Sequence, residues 1–396
     1  VDFFCQCRQP VQQFDHQFNQ PDHKIVASAS DVPNTYELRR PCGIMQLDID
    51  TGGGLPAGGA CCLSGPEGSG KTELLLNYFA MHQKIYGDDS YIAFAQVEGQ
   101  FDFRLALKRG LKIRVPPRLI EQWRHERALR KLGDFTKEEL AGFNEQVGEF
   151  VLIGGSTGEE TMEAVLEAHK KNIFGIIGVD SINALMPEAN AAKDLNEDEK
   201  RASRATLMTR FFHHYIPETR GFDTPNETTI IFVQQVRSNP DKATAPSYMQ
   251  AYLKDWAVTG AYATRHFKLV DVIVWSGQKI KKQISGEKLV VGKEIKWEID
   301  KGKAGCHDSV TGSTPFYYVE GLDSVGSAII AGIRLGVITE GPKGAQVIRP
   351  ETQKPNDDLQ APDVKTLEKM MRADFEFELA VRREILAGAG INCLYQ

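Results

Sequence analysis

From Gly43 onward the chain alternates between short apolar runs, several of them bounded by glycine, and longer stretches in which apolar residues recur at helical spacing. The runs at residues 60–64, 91–97, 174–179, 228–233 and 269–275 are short and hold few polar positions. That is the pattern of strands buried on both faces of a largely parallel sheet. Helical patterns at 73–86, 159–171 and 201–214 lie between several of them. Strand–helix alternation of this kind predicts an α/β fold, a doubly wound, mostly parallel sheet.

Three segments fall outside the alternation. Residues 1–40 are polar, poorly periodic and rich in glutamine (Gln6, Gln9, Gln12, Gln13, Gln17, Gln20), and read as an arm without a core of its own. Residues 114–146 are charged, with Leu119, Trp123 and the pair Ala128 and Leu129 recurring at helical spacing, and predict a helical hairpin inserted into the core. Its cations Arg118, Arg124, His125, Arg127, Arg130 and Lys131 fit either a nucleic-acid face or, more commonly, a solvated helix surface. Residues 342–363 are rich in Pro, Lys, Asp and Gln and read as a linker or loop, leading to one last helix over 364–386. The expected division is an arm at 1–42, a core at 43–336 carrying the insertion, and a small C-terminal domain at 337–396.

Composition narrows the class. With 41% hydrophobic and 25% charged residues among 396, the chain is neither disordered nor fibrous. No run approaches the ~18 apolar residues of a membrane span, and the start lacks the basic flank and apolar stretch of a secretory signal. A soluble, cytoplasmic protein with no membrane partner is expected. The seven cysteines are odd in number and form no CxxC pairs, so neither a zinc site nor a disulfide framework is indicated. Cys61 and Cys62 lie in an apolar run and read as core.

The chemistry is concentrated at residues 65–72. Gly65, Pro66, Glu67, Gly68, Ser69, Gly70, Lys71 and Thr72 satisfy G-x-x-x-x-G-K-[ST] between a predicted strand and a predicted helix, the context that gives the pattern weight. Glycines let such a loop curl so that backbone N–H groups converge on phosphate oxygens, and the following helix adds its positive end. Lys71 is expected on the β- and γ-phosphates and Thr72 on Mg2+, with ATP as the nucleotide. Asp180 ends the apolar run Ile176, Ile177, Gly178, Val179 and fits the second magnesium-side residue. Glu98 follows the 91–97 strand, where a carboxylate can act as general base on water. On pattern alone it fits a helix-capping or salt-bridged glutamate equally well.

Over roughly residues 42–336 the chain resembles the RecA family of ATP-dependent recombinases. The resemblance rests on an ordered set: GIMQLD at 43–48 with GGLP at 53–56, GPEGSGKT at 65–72, AFAQVE at 93–98 with Asp102, VDSINAL at 179–185, FVQQVR at 232–237 and IDKGK at 299–303. It implies that Glu98 orients the attacking water, that Gln235 senses the γ-phosphate, and that Asp102 lies at the nucleotide. It implies that Lys301 and Lys303 reach the ATP of a neighbouring protomer in a head-to-tail helical filament, a homo-oligomer on which the arm packs. Two DNA-binding loops are implied. The first spans about 188–200 and is followed by Arg201, Arg204 and Arg210. The second spans about 238–265, just beyond Arg237, with Lys242, Tyr248, Tyr252, Lys254 and Arg265. Cations and rings in such a segment suit single-stranded DNA. The implied function is a DNA-dependent ATPase that coats single-stranded DNA and pairs it with homologous double-stranded DNA in recombination and repair. Two alternatives share the motifs: a ring-forming helicase of the replicative type, and an ATP-gated, non-motor DNA-binding regulator. The chain departs from the pattern at Leu105, where many relatives have a ring against adenine, in the 114–146 insertion, and in its uncharged final residues 387–396.

Overall fold

The computed structural model describes residues 35–191, 201–219, 225–238, 256–258, 266–284, 286–342 and 344–391. The chain enters through a short antiparallel ribbon, β1 (Arg39–Arg40) with β2 (Leu55–Pro56). The central sheet follows: β3 (Ala60–Gly65), β4 (Tyr91–Gln96), β5 (Glu149–Ile153), β6 (Ile176–Asp180), β7 (Thr229–Ser238), β8 (Trp256–Val258), β9 (Val270–Ile284), β10 (Glu287–Lys301), β11 (Thr311–Tyr317) and β12 (Gly321–Leu322). Its spatial order is β12-β11-β10-β9-β3-β7-β6-β4-β5, with β8 paired to β7. From β9 to β5 all neighbours are parallel, while β10, β11 and β12 extend the sheet antiparallel. The α/β class and the mostly parallel core are as the sequence pattern requires.

Period-two alternation sends side chains to two separate cores. From β3, Cys61 and Leu63 join one face and Ala60 and Cys62 the other; from β7, Ile231 and Val233 oppose Ile230 and Phe232. The first face is covered by the helix Lys71–Tyr86, through Leu74, Leu75, Tyr78 and Phe79. The second is covered by the helices Gly158–Lys170 and Arg201–Thr219, through Met162, Val165, Met208 and Phe212. Each large apolar side chain so buried contributes about 1.5–3 kcal/mol. Helix and sheet approach closely at Gly178, where a Cβ would lie 2.5 Å from Phe79 Cζ. Glycine in β6 therefore lets the first helix of the nucleotide loop seat against the strand that carries Asp180.

The insertion is a helical hairpin, Pro117–Leu129 and Lys137–Asn144, the second helix opened by a capping box between Thr136 and Glu139. Two of its cations are spent internally: Arg124 pairs with Asp134 at 3.1 Å and Arg127 with Glu139 at 3.7 Å.

Residues 342–363 are not a linker. They hold β14 (Gly344–Arg349) and β15 (Lys354–Ala361), which form with β13 (Ile338–Gly341) a three-stranded antiparallel sheet. Ala345, Val347, Leu359 and Ala361 face a third core shared with the helix Ser324–Arg334. These strands are buried on one face only, so polar residues outnumber apolar ones and the loop-like composition conceals the alternation. The last helical stretch is likewise two helices, Val364–Ala373 and Phe375–Gly388. Asp374 breaks them by accepting from the N–H groups of Glu376 and Phe377. Arg382 fastens this lobe to the core: fully buried, it bonds Glu378 at 2.7 Å and donates to the carbonyls of Gly43 and Ser324 at 2.9 and 3.0 Å. Among the described residues no helix is long and apolar enough to cross a membrane.

Candidate nucleotide site

Parallel strands bring their carboxyl ends to one edge of the sheet, the usual place for a ligand in such folds. β3 ends at Gly65, and the loop that follows enters its helix at Lys71 through Gly70, which has φ +101. A Cβ on Gly70 would also meet Ile295 Cδ1 at 2.5 Å, so both conformation and space require glycine. The loop borders a cleft of about 300 Å³. Glu67, Gly68, Gly70, Lys71 and Thr72 line one side; Glu98, Asp180 and Gln235 come from the ends of β4, β6 and β7. Five residues predicted from four separate motifs thus meet at one cleft: Lys71, Thr72, Glu98, Asp180 and Gln235.

Their contacts are specific. Thr72 Oγ1 donates to Asp180 Oδ2 at 2.6 Å. Lys71 Nζ donates to the Pro66 carbonyl at 2.7 Å. Burial lowers the Lys71 pKa, against the opposing pull of Asp180, Glu98 and Glu67. Burial raises the Asp180 pKa; Thr72 lowers it, Glu98 raises it and Lys71 lowers it. Ser181, next to Asp180, donates its hydroxyl to Glu98 Oε1, and Gln235 Nε2 reaches the same oxygen at 3.5 Å. The Gln235 N–H donates to Asn183 Oδ1 at 2.7 Å, tying β7 to the segment after β6.

The donor set fits a magnesium nucleotide. Ser69 Oγ is buried with no hydrogen-bond partner among the described residues, an orphan that a bound anion in the loop would satisfy. Thr72 and Asp180 offer one hydroxyl and one carboxylate. No group of three or more His, Cys, Asp or Glu able to hold a metal occurs among the described residues. Mg2+ suits such a sparse site, because substrate phosphates and water complete its octahedron.

Other predicted residues lie elsewhere. Asp102 is the N-cap of the helix Phe103–Lys108, accepting from the Leu105 N–H at 3.0 Å, and is not among the cleft-lining residues. Lys301 and Lys303 border a separate hollow with His266 and Asp300, and Lys301 Nζ donates to the His266 carbonyl at 3.1 Å. Burial lowers the Lys301 pKa, reinforced by Lys303 and Lys268. Arg204 donates to the Leu185 carbonyl at 3.1 Å, and Arg210 is exposed on the same helix. Arg201 begins that helix and Arg237 lies in β7. Lys242, Tyr248, Tyr252, Lys254 and Arg265, with the arm up to Asn34, lie outside the described residues.

Besides Glu73 on the loop's own helix, three cleft residues lie outside the sequence motifs. Lys293 arrives from β10, and Phe316 and Tyr318 from β11 and just beyond it. Tyr318 is 49% exposed as a residue and its ring meets Phe316 edge-on at 6.0 Å, which places a ring at the cleft despite Leu105. No local pattern marks these residues; they reach the cleft through antiparallel pairing alone.

No family model matches the chain. It is similar to the protein RecA of Bdellovibrio bacteriovorus, 27% identical over 218 residues, or 53% of this chain and 47% of that protein. With the RecA of Citrifermentans bemidjiense it shares 23% identity over 61% of each chain. With that of Oleidesulfovibrio alaskensis it shares 23% over 321 residues, covering 79% of this chain and 74% of the relative. The chain thus spans about half to three-fifths of the length of the first two.

Proposed function

We infer that the chain, a divergent member of the RecA family, is a DNA-dependent ATPase that forms a helical filament on single-stranded DNA and promotes pairing and strand exchange with a homologous duplex. The observation that carries this reading is the meeting of Lys71, Thr72, Asp180, Glu98 and Gln235 at one cleft. The loop amides and Lys71 bind and orient the ATP phosphates. Thr72 and Asp180 would hold Mg2+, which would offset phosphate charge. Glu98, aimed by the Ser181 hydroxyl, orients the attacking water and takes its proton as the γ-phosphate departs. Gln235 touches the Glu98 carboxylate on one side and, through its backbone, Asn183 on the other. It stands three residues before the proposed DNA loop at about 238–265, so γ-phosphate and DNA grip would be linked through β7.

Lys301 and Lys303, in a hollow of their own, serve the ATP of an adjacent copy, and Asp102 is proposed to bind the nucleotide. The DNA track draws on Arg201, Arg204, Arg210 and Arg237 with Lys242, Tyr248, Tyr252, Lys254 and Arg265. The arm and the C-terminal lobe are the proposed accessory parts of the filament. Joint-molecule formation between a single strand and a homologous duplex tests the reading. Product should require both ATP and magnesium, and its absence under conditions of full ATP turnover would refute strand exchange.

A further inference from the structure

Lys71 is the lysine of the loop motif, but a second ammonium reaches the same loop from outside it. Lys293 Nζ, on β10, donates to the carbonyl of Gly68 and, at 2.9 Å, to Ser276 Oγ on β9. Ser276 Oγ in turn donates to the same Gly68 carbonyl at 3.1 Å. The two side chains converge because the β9–β10 ladder is irregular there: Lys293 pairs with Lys279 and Ile295 with Ser276, so β9 carries one extra residue between the pairs.

The Gly68 carbonyl and the Ser69 N–H belong to one peptide unit and point in opposite directions. Holding the carbonyl outward against Lys293 turns that N–H into the loop, where it makes only a 3.3 Å bond to the Pro66 carbonyl. Pro66 also accepts from Lys71, so one carbonyl occupies two donors that a phosphate would claim. A cation on the far side of the peptide strengthens its N–H as a donor, since such bonds are charge-assisted and polarise one another.

We propose that Lys293, with Ser276, is a positioning residue of the phosphate loop that sets nucleotide affinity from the β9–β10 hairpin. The inference rests on reading the cleft as an ATP site. Equilibrium titration of the full chain with Mg-ATP and with Mg-ADP tests it, in Lys293→Met, Lys293→Arg, Ser276→Ala and the Lys293→Met/Ser276→Ala double variant. Lys293→Met should weaken both nucleotides by the same factor, about tenfold or more for a lost charge-assisted bond. Lys293→Arg should recover most of it, and the double variant should be little worse than Lys293→Met. The nucleotide-free melting temperature should stay close to that of the unmodified protein. Unchanged affinities, a loss confined to ATP, or an equal loss of nucleotide-free stability would each overturn the proposal. If the unmodified chain binds neither nucleotide, the ATP-site reading itself fails; if it binds both and Lys293→Met matches it, only this inference falls.

Discussion

Replacing Glu98 by glutamine should separate nucleotide binding from the proposed hydrolysis at this site. The Glu98 side chain receives the Ser181 hydroxyl and lies 3.5 Å from the Gln235 amide, both on Oε1. A glutamine oxygen accepts the same Ser181 bond at the same length of side chain, so the cleft keeps its shape while the proton acceptor is lost. General-base catalysis contributes about 10²–10⁴-fold, so the turnover number should fall by that factor, about 2.7–5.5 kcal/mol on the barrier. Mg-ATP affinity should change little, because Lys71, Thr72 and Asp180 are untouched. Lys71→Ala is the mirror experiment: it removes a charge-assisted donor worth about 1.5–3 kcal/mol, and should weaken binding at least tenfold. Single-turnover hydrolysis at saturating ATP, with a parallel binding titration, reads both variants. A Glu98→Gln protein that hydrolyses within a few-fold of the unmodified rate would refute the assignment of the base.

Further outcomes follow from the same geometry. In a head-to-tail filament, Lys71→Ala mixed with a Lys301→Ala/Lys303→Ala variant should hydrolyse more ATP than the two measured apart, because some seams then combine an intact loop with intact lysines; additive rates would count against a shared site. His169 is buried with both ring nitrogens lacking a partner among the described residues, and its pKa is lowered by burial to about 4. Below its ordinary value the unfolded chain takes a proton that the folded one refuses, so stability falls from about pH 6.5 down to about pH 4, by roughly 2 kcal/mol at pH 5. The His169 ring lies tilted against Tyr215 with centroids 4.7 Å apart, and His169→Phe should remove that loss in urea unfolding at pH 5 against pH 7; an unchanged difference would contradict the buried neutral ring. Arg382→Ala leaves Glu378 buried without its partner and should cost about 3–5 kcal/mol, read as an earlier unfolding of the C-terminal lobe.

What the sequence revealed and what it concealed divide along physical lines. Strands β3, β4, β6, β7 and the first half of β9 are buried on both faces, so their composition alone marks them. The loop at 65–72 is legible because phosphate binding demands glycines and a lysine at fixed local spacing. Asp180 and Glu98 became visible as ends of such strands. β14 and β15 were not, because one wet face makes Gln346 and Asp358 as frequent as Val347 and Leu359. Lys293 and Tyr318 were hidden for another reason: they reach the cleft by cross-strand register, a long-range property with no local signature.

The central claim is that ATP in this cleft and DNA on the chain are coupled. Its most direct test is steady-state ATP hydrolysis by the unmodified protein as single-stranded DNA is titrated in at saturating Mg-ATP. The account predicts a rate that climbs with DNA and saturates; a basal rate indifferent to DNA would contradict it.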